Sequence, residues 1–197
     1  DFVDEHVKII MPTTNSGYGV AKKENICTEN SPLNPISLYG VTKVNAEKII
    51  MNRENSISLR LATVFGYSER MRLDLLVNTF AYKAIKDKKI EIFEGKFKRN
   101  FIYIDDVINA ILKTLKNRKT NGEIINIGSN KPVRIKDLII KICSLVGSGK
   151  PIFGKIKLRK DEIKSLYPNI NKAHKILKWR SKISLNTGLK RTIKYYK

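Results

Sequence analysis

The feature that most constrains the fold is an ordered alternation near the start of the chain. A short apolar run, Val7-Lys8-Ile9-Ile10-Met11, ends at Pro12 and a small polar stretch, Thr13-Thr14-Asn15-Ser16-Gly17. After a polar loop, residues 35–51 carry apolar side chains at helical spacing, and residues 57–65 form a second apolar run closed by Gly66. Strand, loop, helix and strand in that order make a parallel crossover unit, which places the chain in the α/β class with a doubly wound sheet. Open sheets of this kind carry their chemistry at the carboxyl ends of the strands, where Thr14 stands. On its own, a threonine there more often satisfies local backbone.

The helix is expected to start with Asn34 as N-cap and Pro35 in its first turn. Near its start lie Tyr39 and Lys43, four residues apart and so on one face. A free tyrosine titrates near pH 10, so a tyrosine acting as a base near neutrality needs about 4 kcal/mol of help. One positive charge about 4 Å away, at an effective dielectric near 20, supplies about that much. Spacing alone does not single this pair out, because Tyr18/Lys22 and Tyr82/Lys86 share it. Small residues Gly40, Thr42 and Ala46 leave room for close packing of the helix.

Further along, the pattern predicts helices over 75–86, 107–116 and 134–146, strands over 89–93, 101–104 and 123–127, and a cap from Asp105 and Asp106 for the helix that follows them. From Gly147 the chain reads as basic and irregular, with last helices over 170–177 and 187–195. There is no internal repeat and no low-complexity segment.

Composition bounds the function. With 197 residues, 42% hydrophobic and 29% charged, the chain can bury a core as a soluble globular domain. Its apolar runs are too short and too broken by lysine to span a bilayer, and a cytoplasmic setting is expected. Cys27, Cys143, His6 and His174 have no metal-ligand spacing, so neither a zinc site nor a disulfide framework is expected. The net charge of +21 alone would suggest a polyanionic partner. However, the lysines are scattered from Lys8 to Lys197 with no basic arm, which argues against nucleic acid.

Five landmarks in order carry a family resemblance. They are Thr13-Thr14-Asn15-Ser16-Gly17-Tyr18-Gly19, Ser37-Leu38-Tyr39-Gly40-Val41-Thr42-Lys43, Leu59-Arg60-Leu61-Ala62-Thr63-Val64-Phe65-Gly66, Arg99-Asn100-Phe101-Ile102-Tyr103-Ile104-Asp105-Asp106-Val107, and Asn126-Ile127-Gly128. This series resembles the extended short-chain dehydrogenase/reductase family, specifically its NAD-dependent epimerases and dehydratases of nucleotide sugars. The resemblance implies a partial Rossmann-like parallel sheet (residues 1–66 and 101–130) with a smaller nucleotide-sugar-binding α/β subdomain (67–100 and 131–197). It implies NAD or NADP as cofactor, a nucleotide sugar as substrate, no membrane partner, and a homodimer when full length. It also selects Tyr39/Lys43 over the other two pairs.

The residue roles that follow are those of the family. Tyr39 takes the proton of a sugar hydroxyl while the hydride leaves its carbon for the nicotinamide. Lys43 supports the phenol and binds the nicotinamide ribose, and Thr14 hydrogen-bonds the sugar oxygen. Leu61 and Val64 join Tyr39 and Lys43 on the cofactor side. Asn15, Ser16, Thr63, Leu75, Asn78 and Phe93 line the substrate side, and Arg99 clamps the pyrophosphate.

The departures from the pattern also matter. Thr63 stands where relatives often carry asparagine, and Arg159-Lys160-Asp161 is one residue out of register with the family's late Arg-x-x-Asp. Dehydrating relatives follow the strand-end threonine with Asp-Glu, because loss of water needs a further acid and base. Asn15 and Ser16 occupy those places, so an epimerase is expected ahead of a dehydratase or reductase, with a non-catalytic binding module as the alternative outside enzymology. No glycine-rich turn of the kind that seats a dinucleotide pyrophosphate occurs in the sequence. The chain therefore resembles the carboxyl-terminal part of a longer enzyme, expected to bind NAD poorly by itself and to expose a sheet edge.

Overall fold

The computed structural model describes residues 3–19, 26–86, 88–92, 95–129, 131–154 and 165–197. Phe93, Lys22 and the Arg159-Lys160-Asp161 segment lie outside the described residues. In chain order the elements are β1 (Ile9–Thr14), β2 (Ile26–Cys27), α1 (Leu38–Ile50), β3 (Ser56–Leu61), β4 (Thr63–Phe65), α2 (Leu76–Ile85), β5 (Lys89–Ile92), β6 (Lys98–Tyr103), α3 (Ile104–Leu115), β7 (Glu123–Ile127), β8 (Pro132–Arg134), α4 (Ile135–Val146), β9 (Lys150–Phe153), β10 (Ser165–Pro168), α5 (Asn171–Leu177) and α6 (Leu185–Tyr196). The fold is mixed α/β with Rossmann-type parallel pairing.

Three parallel strands in the order β1-β3-β7 form one sheet. Its register sets Thr14 opposite Leu61 and Leu61 opposite Ile127, so all three strands end along one edge. β3 buries both faces. Ile57 and Leu59 enter a core with Val107 and Ala110 of α3, Ile125 and Ile127 of β7, and Trp179. Ser58 and Arg60 face α1 instead. A second sheet, β2-β10-β6-β4 with β8 beside β6, stands next to the first, and β5 pairs with β9. A second core joins Phe65, Phe101 and Tyr103 to α2, α4 and α6.

Several sequence expectations need correction. The apolar run 57–65 is two strands, because Ala62 donates its N–H to Ile127 O at 2.8 Å as the last rung to β7 and the chain then leaves to pair with β6. Helix α1 starts at Leu38 with Ser37 as N-cap, its hydroxyl accepting from Gly40 N at 3.1 Å. Asn34 and Pro35 are held outside the helix, with the Asn34 carbonyl lying against Gly19. A Cβ at Gly19 would stand 1.8 Å from that oxygen, and Gly19 has φ +64°. Asp105 and Asp106 sit in the first turn of α3, whose N-cap is Tyr103. Asp106 accepts the N–H groups of Lys182 (3.0 Å) and Ile183 (2.9 Å), and so holds the approach to α6 rather than capping its own helix. Beyond Gly147, β9 and β10 add strands where irregular chain was expected. The tail was illegible because both strands are short and take partners distant in sequence. Among the described residues no helix is long and apolar enough to cross a membrane, and no group of three or more His, Cys, Asp or Glu could hold a metal.

Candidate active site

A cleft of about 550 Å³ opens where the carboxyl ends of β1 and β3 meet the second sheet. β1 contributes Thr13 and Thr14, and the 3-10 turn after it (Asn15–Tyr18) contributes Asn15 and Ser16. The β3–β4 passage supplies Leu61, Ala62, Thr63 and Val64, and the first turn of α1 supplies Tyr39 behind its cap, Ser37. Arg72, Leu75 and Arg99 close the far wall. Register explains the convergence, since Thr14 and Leu61 are paired residues on neighbouring strands.

The Thr14 hydroxyl accepts from Ser16 N at 3.1 Å and shares a 2.9 Å hydrogen bond with Ser16 Oγ. It therefore fulfils the local backbone role as well as facing the cleft. Tyr39 is 57% exposed, which keeps its ring out of the core and available to a ligand. Lys43, one turn on and half-buried, places Nζ 6.0 Å from the Tyr39 ring centroid, near the outer limit of a cation–π contact. It does not itself line the cleft.

The two other Tyr-x-x-x-Lys tyrosines are placed differently. Tyr18 is buried, donates to Asn126 Oδ1 at 2.7 Å and accepts from Arg60 Nη1 at 2.9 Å. Its burial pushes the phenol up to about 12. Tyr82 stacks edge-on with Tyr196, away from the cleft.

The sequence reading missed Thr13, Ser37, Ala62 and Arg72 as lining residues. Arg72 donates to both Asp74 carboxylate oxygens, from Nε at 3.0 Å and Nη2 at 2.5 Å, and this hydrogen bonding holds the Asp74 carboxyl below its ordinary range. The signal for Arg72 was its pairing distance to Asp74 inside a segment poor in apolar residues. Asn78 does not line the cleft. It is buried on α2, donates Nδ2 to Arg72 O at 3.1 Å, and so shapes the loop that presents Arg72. Among the described lining residues none is acidic and Arg72 and Arg99 are cationic, with the charge of Arg72 already offset by the Asp74 carboxylate that occupies its fork.

Residues 2–192 match the family model described as GDP-mannose 4,6 dehydratase. The chain belongs to the extended short-chain dehydrogenase/reductase family, among its NAD-dependent nucleotide-sugar epimerases and dehydratases. A UDP-glucuronate 4-epimerase of Thermodesulfobacterium geofontis is 33% identical over 170 residues, covering 83% of this chain and 51% of the relative. The structure of a Bacillus cereus UDP-glucuronic acid 4-epimerase in complex with UDP-glucuronic acid and NAD aligns with TM-score 0.88 at 31% identity, covering 98% of this chain and 63% of that one. A Thermotoga maritima UDP-glucose 4-epimerase with UDP-glucose aligns with TM-score 0.85 at 28% identity, over 96% of this chain and 62% of that one. The chain thus spans little more than half the length of the curated relatives it matches, 59% and 56% for two of them.

The family is NAD-dependent, and the residues present fit one end of that cofactor. Tyr39, Leu61 and Val64 face the cleft with Lys43 beside them, a set able to hold the nicotinamide ribose. The pyrophosphate end has no glycine-rich turn in this sequence to receive it.

Proposed function

We propose that this chain carries the sugar-binding and proton-transfer part of an NAD-dependent nucleotide-sugar epimerase. The observation that supports it is the convergence of Thr14 and Tyr39 on one cleft, with Lys43 beside the tyrosine ring and no carboxylate among the described lining residues. The dinucleotide, when bound, supplies the acceptor that takes a hydride from the sugar carbon and returns it. Tyr39 takes the hydroxyl proton and later gives it back. Thr14 holds the reacting oxygen by a hydrogen bond, and Lys43 offsets negative charge on the phenol. Elimination of water would need an acid at Asn15 or Ser16, which neither residue can provide.

On the far wall, Arg99 is the arginine that meets the diphosphate in this reading, the fork of Arg72 being taken by Asp74, and Thr63 and Leu75 bound the same space. In this reading residues 1–66 and 101–130 form the cofactor side and 67–100 and 131–197 the sugar side. The two cores follow that division only in part: Phe65, Phe101 and Tyr103 pack with α2, α4 and α6, and Ile170, α5 and Trp179 pack with β3 and β7. A cytoplasmic setting and pairing of two copies accompany the full-length form.

The test is turnover of UDP-glucuronic acid or UDP-glucose by a longer form bearing a cofactor-binding turn, with products resolved by NMR. Tyr39→Phe is expected to lower turnover by about 100-fold or more while leaving nucleotide-sugar affinity in place. A stable dehydrated keto product with no epimer would contradict the proposal.

A further inference from the structure

A strand buried on both faces normally presents apolar side chains to both, yet β3 turns Ser58 and Arg60, 0% and 4% exposed, toward α1. Glu47 meets them from α1 at 3% exposure. It lies four residues beyond Lys43 and eight beyond Tyr39, on the same stripe of the helix. Arg60 Nη2 donates to Glu47 Oε1 at 2.5 Å, Arg60 Nε reaches both carboxylate oxygens at 3.1 Å, and Ser58 Oγ donates to Oε2 at 2.6 Å.

Beyond the pair, Arg60 Nη1 donates to the Tyr18 hydroxyl, which donates to Asn126 of β7. One connected set of bonds thus ties α1 and β3 to β7 and to the 3-10 turn that follows Thr14. A buried ion pair returns about what its desolvation costs, so net stability is a weak reason for it to be there. Its planar, forked geometry instead fixes both distance and rotation, which apolar contacts leave softer. A side-chain tip at the roughly 5–6 Å radius of a helix moves about 2 Å when the helix rolls by about 20°, and a displacement of about 1 Å can cost about 100-fold in rate.

We propose that Glu47 and Arg60 are positioning residues for Tyr39 and Lys43, fixing the rotation of α1 against β3 so that the phenol is aimed into the cleft beside Thr14. This rests on the reading of Tyr39 as the group that meets the sugar hydroxyl. The test uses the 197-residue chain labelled with 3-fluorotyrosine, the residue-39 fluorine signal being assigned by Tyr39→Phe, and titrated with UDP and with UDP-glucuronic acid.

In the unsubstituted chain the residue-39 signal is expected to move with UDP-glucuronic acid and not with UDP; if it does not, the reading of Tyr39 itself fails. Arg60→Lys keeps the charge and loses the fork, and is expected to lose more than half of that sugar-dependent shift while still binding UDP. Glu47→Gln is expected to do the same. Ser58→Ala leaves the ion pair and is expected to retain the shift, which separates aiming from a general loosening of the helix. A full shift in Arg60→Lys or Glu47→Gln overturns the proposal and leaves the Tyr39 reading standing. If neither variant folds, the pair is simply structural, and the positioning role is equally overturned.

Discussion

At the scale of single residues, the three Tyr-x-x-x-Lys pairs show that spacing carries no chemistry until burial is known. Tyr39 is open to a cleft, whereas Tyr18 is enclosed and serves as a bridge between Arg60 and Asn126. Arg60 keeps its proton above the usual range although burial works against the cation, because the Glu47 hydrogen bonds and Tyr18 more than offset that burial. The Tyr18 phenol, pushed by burial from 10 to about 12, has a consequence in alkali. A raised acid contributes stability that is fully present below its unfolded pKa and is lost as pH climbs to its folded value, here between about 10 and 12. The full effect is on the order of 2–3 kcal/mol, since each pH unit of displacement is worth about 1.4 kcal/mol. Urea unfolding of the chain and of Tyr18→Phe through this window should show the extra alkaline loss in the former alone. Parallel curves would mean that Tyr18 ionises as easily folded as unfolded.

At the scale of elements, α1 was legible as a helix, and its first turn was not. The spacing of Ala46, Ile49 and Ile50 marks a helix, but Asn34-Pro35 is also a good local start signal and pointed three residues too early. The deciding contacts are tertiary. The Asn34 carbonyl rests on Gly19, Gly17 faces Val44, and a Cβ at Gly40 would stand 3.0 Å from Pro35 Cβ and 3.3 Å from Ser37 Oγ. β9 and β10 were lost and β4 was merged with β3 for the same reason, each being short and paired with a strand remote in sequence. The strand-end threonine, the tyrosine and Arg99 could be read because motif order survives without knowledge of packing, whereas Arg72 becomes a lining residue only once α2 and Asn78 set its loop. The cap follows the same logic. Ser37→Ala removes the acceptor for Gly40 N and should cost about 1 kcal/mol in stability. Because Tyr39 occupies that first turn, UDP-glucuronic acid binding should weaken along with the melting temperature, as calorimetry and thermal melts together would reveal. Ser37→Asp, which can still cap, should restore the melt.

At the scale of the whole molecule, the central question is what the parallel sheet can hold. Among the described residues β1 pairs with β3 on one side only, and its Ile9, Ile10 and Met11 are half-buried. Pro12 removes one N–H donor from the strand, which blunts it as a template without closing it. α3, on the core side of β3, leaves Ile108, Leu112 and Leu115 about half exposed along one stripe. A sheet end and a helix stripe left open together favour association of the chain with itself, so sedimentation should show a mean mass that rises with concentration. Ligand binding should divide along the same line. Thr14, Tyr39, Arg72 and Arg99 line one cleft, and under the proposed function UDP-glucuronic acid should give a calorimetric signal there. In the proposed function Leu61 and Val64 wall the nicotinamide end, but the sequence has no glycine-rich turn at a helix start for the pyrophosphate, where most of the charged recognition would arise. NAD titrated into the 197-residue chain should therefore show no micromolar binding. A monomeric chain that binds NAD in that range would mean that pyrophosphate recognition comes from residues assigned here to the sugar.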